Sequence, residues 1–432
     1  MARSGVAAAR LLHDRGESVF VTDAGKPHPS ASSELDALGI PWEAGQHTTS
    51  RFLGADEIVV SPGVPLNIPP LAAAREKGVP IISELELASR HLQGDIIGIT
   101  GSNGKTTTTT LVGEILKAAG KTVQVGGNIG TAMCGLVATS TSATINVIEV
   151  SSFQLDAITT FRPHIAALLN ITPDHLDRYV DFAAYRNSKF RIFENQLESD
   201  IAVLNRDDRN VFPPAVAIRS RQHYFSRTDG IADGAFRFGG MLYLKGTAVM
   251  AASDVRLRGE HNIENILASM AIAGNYAVPS STFTAVISEF RGVEHRIEYV
   301  ASVRGVSFYN DSKATNVDSA IKAVASFDHN LILILGGRDK GASYEPLVEA
   351  MRGRVKQVLL IGEAAGKIAA AIGNAVPVTT APSLDDAVRQ AASLGVPGDV
   401  VLLSPACASF DMFENYEHRG RVFKKTVQEL LH

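Results

Sequence analysis

A short apolar run, Ile96-Ile97-Gly98-Ile99-Thr100, meets Gly101-Ser102-Asn103-Gly104-Lys105-Thr106-Thr107 and passes into Thr108-Thr109-Thr110-Leu111-Val112. A strand, a glycine turn and a helix in that order place backbone N–H groups, a helix N-terminus and a lysine around one point. Gly101 and Gly104 can take backbone angles closed to other residues, so the turn can wrap an anion. Lys105 adds a full charge, and Thr106 offers a hydroxyl in the first helical turn, where phosphate loops hold Mg²⁺ through Ser or Thr. The full-length spacing is not met, because Ile99 stands where the leading glycine would be. This is a shortened phosphate loop, with a plain glycine turn beside a surface lysine as the alternative. The β-branched threonines cost helix propensity. No ligand role is evident for Thr108, Thr109 or Thr110.

The rest of the chain alternates the same two signals, which argues for parallel sheets covered by helices. Residues 1–92 read as a Rossmann-like unit: Val6 to His13 helical, Ser18 to Thr22 and Glu57 to Ser61 extended, Leu71 to Lys77 helical. Residues 93–291 carry the phosphate loop on a mainly parallel sheet, with buried strands at Thr144 to Val150, Ile165 to Leu169 and Ile201 to Leu204. Hairpin character follows from Phe236 to Met250. Gly259 to Ala277 reads helical, since Ile263, Ile266, Leu267 and Met270 share one face, flanked by Asn262 and Asn265. Residues 292–432 form a second Rossmann-like unit, with strands at Val306 to Tyr309, Leu331 to Leu335, Val358 to Ile361 and Val400 to Leu403. Three domains also suit 432 residues at roughly 150 per domain.

Composition excludes several classes. A net charge of −4 with 20% charged residues offers no basic surface for nucleic acid. Cys134 and Cys407 are too few for a disulfide framework or a zinc site. No apolar run reaches the roughly 18 residues of a membrane span, and the N-terminal stretch reads as an amphipathic helix instead of a signal peptide. The expectation is a cytoplasmic α/β enzyme without nucleic-acid or membrane partners.

Three further residues could carry chemistry. Glu149 ends an apolar strand, where open α/β sheets present groups to ligands, and its carboxylate could hold a metal beside the phosphates. A solvent-facing glutamate is the alternative. His175 stands in Asn170-Ile-Thr-Pro-Asp-His-Leu-Asp-Arg-Tyr179 and Lys189 in Tyr185-Arg-Asn-Ser-Lys189. Taken singly, a structural histidine and a solvated lysine are the ordinary readings.

Taken together, the ordered set TGSNGKTT, IEVSSFQLD, NITPDHLDRY, YRNSK, GEHNIEN, HRIE, YNDSKATN and SPACASFDMFENYEHRG resembles the Mur ligase family over nearly the whole chain. The resemblance implies an ATP-dependent carbon–nitrogen ligase that adds D-glutamate to UDP-N-acetylmuramoyl-L-alanine. That step belongs to peptidoglycan synthesis, and through it to cell-wall biogenesis, cell shape and cell division. It implies ATP on Gly101 to Thr107, with Lys105 on the phosphates and Thr106 and Glu149 serving Mg²⁺. His175 would hold a second Mg²⁺ together with Lys189, carbamylated by CO₂ and so turned from a cation into a carboxylate-like group. Asn262, Asn265, Arg296 and Asp311 match nucleotide contacts. Asn128 and Ser151 match the region of the muramoyl substrate, and Ser4, Gly5, Asp23 and Gly63 that of its UDP end. Lys313, Thr315, Lys340, Ser409 and Tyr416 match a D-glutamate pocket. The implied protein is a monomer acting on small molecules. Another superfamily ligase, such as folylpolyglutamate synthetase, and a non-catalytic P-loop regulatory protein are the alternatives.

The N-terminus departs from the pattern. Ser4 and Gly5 already belong to the glycine turn, so the apolar first strand and its leading glycine are absent. The expectation is that Met1 is a misplaced start, or that the chain binds its UDP substrate weakly. At Asp23 the following Ala24 and Gly25 offer no side-chain hydrogen bonds.

Overall fold

The computed structural model describes residues 3–26, 29–175 and 178–431. Met1, to which the expectation about the chain start attaches, lies outside them. Contacts divide the chain into two compact units, one of Met1–Ile171, Ala183–Met250 and Ile266–Val286, the other of Thr172–Phe182, Ala251–Asn265 and Ile287–His432.

In the first unit, α1 (Arg3–Asp14) buries Val6, Ala8 and Ala9. It is followed by β1 (Val21–Asp23), α2 (Pro29–Ala37), β2 (Trp42–Ala44), α3 (Thr49–Leu53), β3 (Ile58–Val60), α4 (Pro69–Glu76), β4 (Ile81–Ser83) and α5 (Glu84–Ser89). The strands pair in parallel as two separate two-stranded sheets, β1 with β2 and β3 with β4. Of the extended run expected from Ser18, only Val21 and Thr22 are strand.

The same unit continues with β5 (Asp95–Thr100), α6 (Lys105–Ala118), β6 (Val123–Gly127), β7 (Ile145–Glu149), α7 (Ser152–Leu155), β8 (Ile165–Leu168), α8 (Phe182–Phe190), β9 (Ile201–Asn205), β10 (Arg221–Ser226), β11 (Gly234–Phe238), β12 (Met241–Leu244) and β13 (Thr247–Ala251). They make one nine-stranded sheet in the order β13-β12-β11-β10-β9-β8-β5-β7-β6. It is parallel from β11 to β6, and β11 pairs antiparallel with β12. The central strands are buried on both faces, which explains their mostly apolar sequence. β10 was not legible, because Arg221 to Ser226 lacks such a run and forms a strand by pairing with β9.

Two helices run through residues of both units, α9 (Glu260–Ala273) and α10 (Ser280–Glu289). The α9 helix stops short of the expected Ala277: the Asn275 amide caps the carbonyls of Ala271 and Ile272 at 2.8 and 3.1 Å, and Ala277 takes φ 54°.

The second unit builds a six-stranded sheet from β14 (Glu298–Val303), β15 (Val306–Asn310), β16 (Leu331–Gly336), β17 (Val355–Ile361), β18 (Val378–Thr380) and β19 (Val400–Leu403), in the order β14-β15-β19-β16-β17-β18. All pairs are parallel except β14 with β15. Side chains alternate across a strand, so Leu331, Leu333 and Leu335 enter one core under α11 (Val317–Val324), α12 (Glu345–Met351) and α13 (Ala365–Ile372). Ile332 and Ile334 enter the other, under α14 (Leu384–Leu394) and α15 (Tyr416–Glu429). Among the described residues no helix is long and apolar enough to cross a membrane.

Candidate active site

The phosphate loop leaves β5 at Thr100 and enters α6 at Lys105. Gly101 and Gly104 have φ of 156° and 83°, and a Cβ on Gly101 would stand 3.0 Å from Leu169. The neighbouring strand ties the loop down. Asn170, just past β8, accepts from Asn103 N at 2.8 Å and donates to Asn103 O at 3.0 Å, while Ser102 N donates to Asn170 O at 2.9 Å. Tyr185 meets Ser102 hydroxyl to hydroxyl at 2.9 Å. Lys105 Nζ donates to the carbonyls of Gly101 and Ser102 at 2.8 and 3.0 Å. Thr107, Thr108 and Thr109 face inward in α6, and the Thr108 and Thr109 hydroxyls are buried without a hydrogen-bond partner.

Glu149 is buried, which removes the solvent-facing alternative. Its Oε2 accepts from Thr106 Oγ1 at 2.7 Å and its Oε1 from Asn128 Nδ2 at 2.8 Å. The structure thus gathers three sequence candidates from β6, β7 and α6. The close approach of β6 needs glycine, since a Cβ on Gly127 would lie 2.4 Å from Glu149 O. Ser151 caps α7 in a reciprocal box with Gln154. Lys189 is 2% exposed, donates to Gly101 O at 2.9 Å and lies 4.6 Å from the Tyr185 ring. It is no surface lysine.

At the N-terminal end, Ser4 Oγ donates to Ser61 Oγ at 3.2 Å, beside Gly5, and the turn through Gly63 closes with Val64 N on Ser61 O. Asp23 accepts from Gly25 N at 2.8 Å.

In the second unit, loops at the carboxyl ends of the adjacent strands β15, β19 and β16 converge. Ala406 N donates to Ala314 O, and Arg338 pairs with Ala408, which brings the segments of Thr315, Lys340 and Ser409 together. Lys313 Nζ donates to Tyr416 Oη at 2.8 Å. Lys340 Nζ stands 3.9 Å from Asp174 Oδ1, and Asn316 Nδ2 donates to Asp174 Oδ2 at 2.8 Å. Burial alone would raise the Asp174 carboxyl, but Lys340, His175 and the Asn316 amide outweigh it and hold it below the usual range. His175 follows with φ 56°, its backbone N on Asp174 Oδ1 at 2.9 Å. Arg419 is fully buried and donates to Ser312 and Cys407, stapling two of the loops.

The nucleotide candidates of this unit form two pairs. Asn265 Nδ2 donates to Asn262 Oδ1 at 3.1 Å, and Arg296 lies 4.0 Å from Asp311, which also accepts from Ser404. Burial pushes the Asp311 carboxyl up to about 6 despite those partners.

A mainly parallel sheet with a phosphate loop, and a hydroxyl, a carboxylate and an amide gathered beside it, defines the class of P-loop α/β proteins. Residues 1–83 match the Mur ligase MurD-like N-terminal domain, 99–273 the Mur ligase middle domain and 295–407 the Mur ligase glutamate ligase domain. UDP-N-acetylmuramoylalanine--D-glutamate ligase of Koribacter versatilis is 46% identical, over 100% of this chain and 96% of that protein. The protein of the same name from Acidobacterium capsulatum is 48% identical, over 99% and 94%. The chain belongs to the Mur ligase family. Among solved structures, a pseudomurein peptide ligase type C from Methanothermus fervidus superposes with TM-score 0.66 at 17% identity, over 99% of this chain and 98% of that one. UDP-N-acetylmuramate-alanine ligase MurC from Thermotoga maritima gives 0.63 at 18%, over 99% and 97%. Both share the fold.

Residue reading of the sequence missed Asn170, Asp174, Tyr185, Asn316 and Arg419. Each lies inside one of the recognised motifs, so the signal was present at the level of the motif and not of the side chain.

Proposed function

We infer that the chain is an ATP-dependent ligase that joins D-glutamate to UDP-N-acetylmuramoyl-L-alanine in peptidoglycan synthesis. Full-length relatives bearing that name, at 46% and 48% identity, carry the reading. The gathering of Thr106, Glu149 and Asn128 at the phosphate loop supports it. We assign the UDP substrate to residues 1–92, ATP to 93–291 and D-glutamate to 292–432, with the chain acting as a cytoplasmic monomer.

A bare carboxylate is a poor electrophile. The substrate's L-alanine carboxylate therefore takes the γ-phosphoryl of ATP, giving an acyl phosphate and ADP. The D-glutamate amine adds to that carbonyl, the C–O bond to phosphate breaks, and an amide and inorganic phosphate leave. Lys105 and the loop N–H groups stabilise the charge that develops on the phosphoryl oxygens. Asn262, Asn265, Arg296 and Asp311 are assigned to the nucleotide. Lys313, Thr315, Lys340, Ser409 and Tyr416 hold the two carboxylates of D-glutamate, for which cations and hydroxyls are suitable partners.

The oxygen donors of Thr106 and Glu149 fit Mg²⁺, a hard cation. When bound, Mg²⁺ would neutralise phosphate charge. A buried lysine ammonium does not fit such a site. We therefore propose that Lys189, as the neutral amine, adds to CO₂, forming an N–C bond and releasing one proton. The resulting carbamate is an anion suited to metal support, and His175 is kept as a metal ligand.

Phosphate release measured with ATP, the UDP substrate and D-glutamate, each omitted in turn, tests the reading. All three are expected to be required. Release with ATP alone would favour a nucleotide switch, and turnover only with a folate acceptor would favour another superfamily ligase.

A further inference from the structure

We propose that Asp174 receives the ammonium group of the incoming amino acid. The proposal rests on the D-glutamate reading above and deepens it. D-Glutamate brings two carboxylates and one ammonium, yet Lys313, Thr315, Lys340, Ser409 and Tyr416 are cations and hydroxyls. They complement the carboxylates and leave the ammonium without an anionic partner, which is costly in a desolvated pocket.

Among the described residues, three neighbouring acids are committed elsewhere, and a fourth, Asp411, accepts from Glu363 N at 3.0 Å through Oδ2 while its Oδ1 is buried without a hydrogen-bond partner. Asp311 is fully buried on Ser404, Ile297 N and Arg296. Asp339 bonds Lys367 and Tyr344 at 2.6 and 3.0 Å. Asp318 bonds Thr172 and Lys322, both at 3.1 Å. Asp174 is different. Asn316 and the backbone N of His175 take one site on each of its oxygens, whereas a carboxylate offers about four. The His175 imidazole stands at 3.6 Å from Oδ2 and Lys340 at 3.9 Å from Oδ1, both beyond hydrogen-bond reach.

The carboxylate is also held in direction. Asn316 commits its Oδ1 to Ser319 N at 2.8 Å as the cap of α11, so its Nδ2 has a fixed aim at Asp174. Asn316 directly follows Thr315 in the chain. A cation and an anion 3.9 Å apart complement the head of an α-amino acid, whose nitrogen and carboxyl carbon are about 2.5 Å apart. Lys340 then meets the α-carboxylate and Asp174 the α-ammonium. Asp174 is a positioning residue for the nitrogen, which becomes nucleophilic once the ammonium has given one proton to solvent; no proton transfer is assigned to Asp174 itself.

The test compares D-glutamate with glutarate, the same diacid without the amine, in the wild type and in Asp174→Asn. The KM for D-glutamate should rise roughly 10- to 100-fold, the range for losing a hydrogen bond to a charged group. The inhibition constant of glutarate and the KM values of ATP and the UDP substrate should stay within about twofold. Asp174→Glu, which keeps the charge, should recover part of the loss. A parallel loss of glutarate affinity would mean that Asp174 only orients Lys340 and would overturn the proposal, as would an unchanged KM for D-glutamate. A wild-type protein inactive with D-glutamate but active with another amino acid would instead remove the D-glutamate reading, and the proposal with it.

Discussion

Lys189 and Glu86 are charged side chains taken out of water for different ends. Lys189 has a carbonyl and an aromatic ring as neighbours and a position beside the phosphate loop. Replacing it with Ala is expected to abolish ligation nearly completely. Added bicarbonate should restore nothing, a short-chain carboxylic acid should restore a little, and full activity in Lys189→Ala would sink the carbamate assignment. Glu86, in α5, accepts hydrogen bonds from the backbone N of Thr159, Thr160 and Phe161 and from both threonine hydroxyls. Burial alone would raise its carboxyl, but those donors hold it down at about 2 against an ordinary 4.5. A depressed carboxyl contributes stability that is complete above about pH 4.5 and is lost as pH falls toward 2. The contribution is on the order of 3 kcal/mol. Denaturant unfolding of Glu86→Gln should show that loss at pH 7, with the gap to wild type closing as the pH falls to 3 and below.

Among the elements, the contrast lies between short and long sheets. β1 with β2 and β3 with β4 are three-residue strands in two-stranded sheets, a size that is marginal unless packed. Their cores are the small clusters around Leu35 and Leu71. Strands β5, β7 and β8 lie inside nine strands. Amide exchange followed by mass spectrometry should therefore find β1 to β4 the least protected strands of the first unit, and equal protection across both groups would contradict this. Elements with strong local patterns were legible in the sequence, as with α1, β5, β7 and β16. Elements made by pairing were not: Arg221 to Ser226 and Glu298 to Val303 have no apolar run and become strands only through their neighbours.

Across the whole molecule, the proposed roles fall in different units, the phosphate loop in one and the residues assigned to D-glutamate in the other. Lys105→Ala and Lys340→Ala should both abolish ligation but separate in calorimetric binding. The first is expected to lose ATP affinity and keep that for D-glutamate, the second the reverse, and loss of both ligands in either variant would contradict the division of roles. The sequence by itself determined the phosphate loop, the alternation of strands and helices, and the motif order that marks the family, because glycine freedom, apolar periodicity and residue spacing are local properties. Only the tertiary structure decided that Glu149 is buried between Thr106 and Asn128, that Lys189 is not at the surface, and that Asp174 faces Lys340 across a long interval of chain. Those are facts about which strand ends lie side by side and which charges lose their water, and both depend on long-range packing that no local stretch of sequence contains.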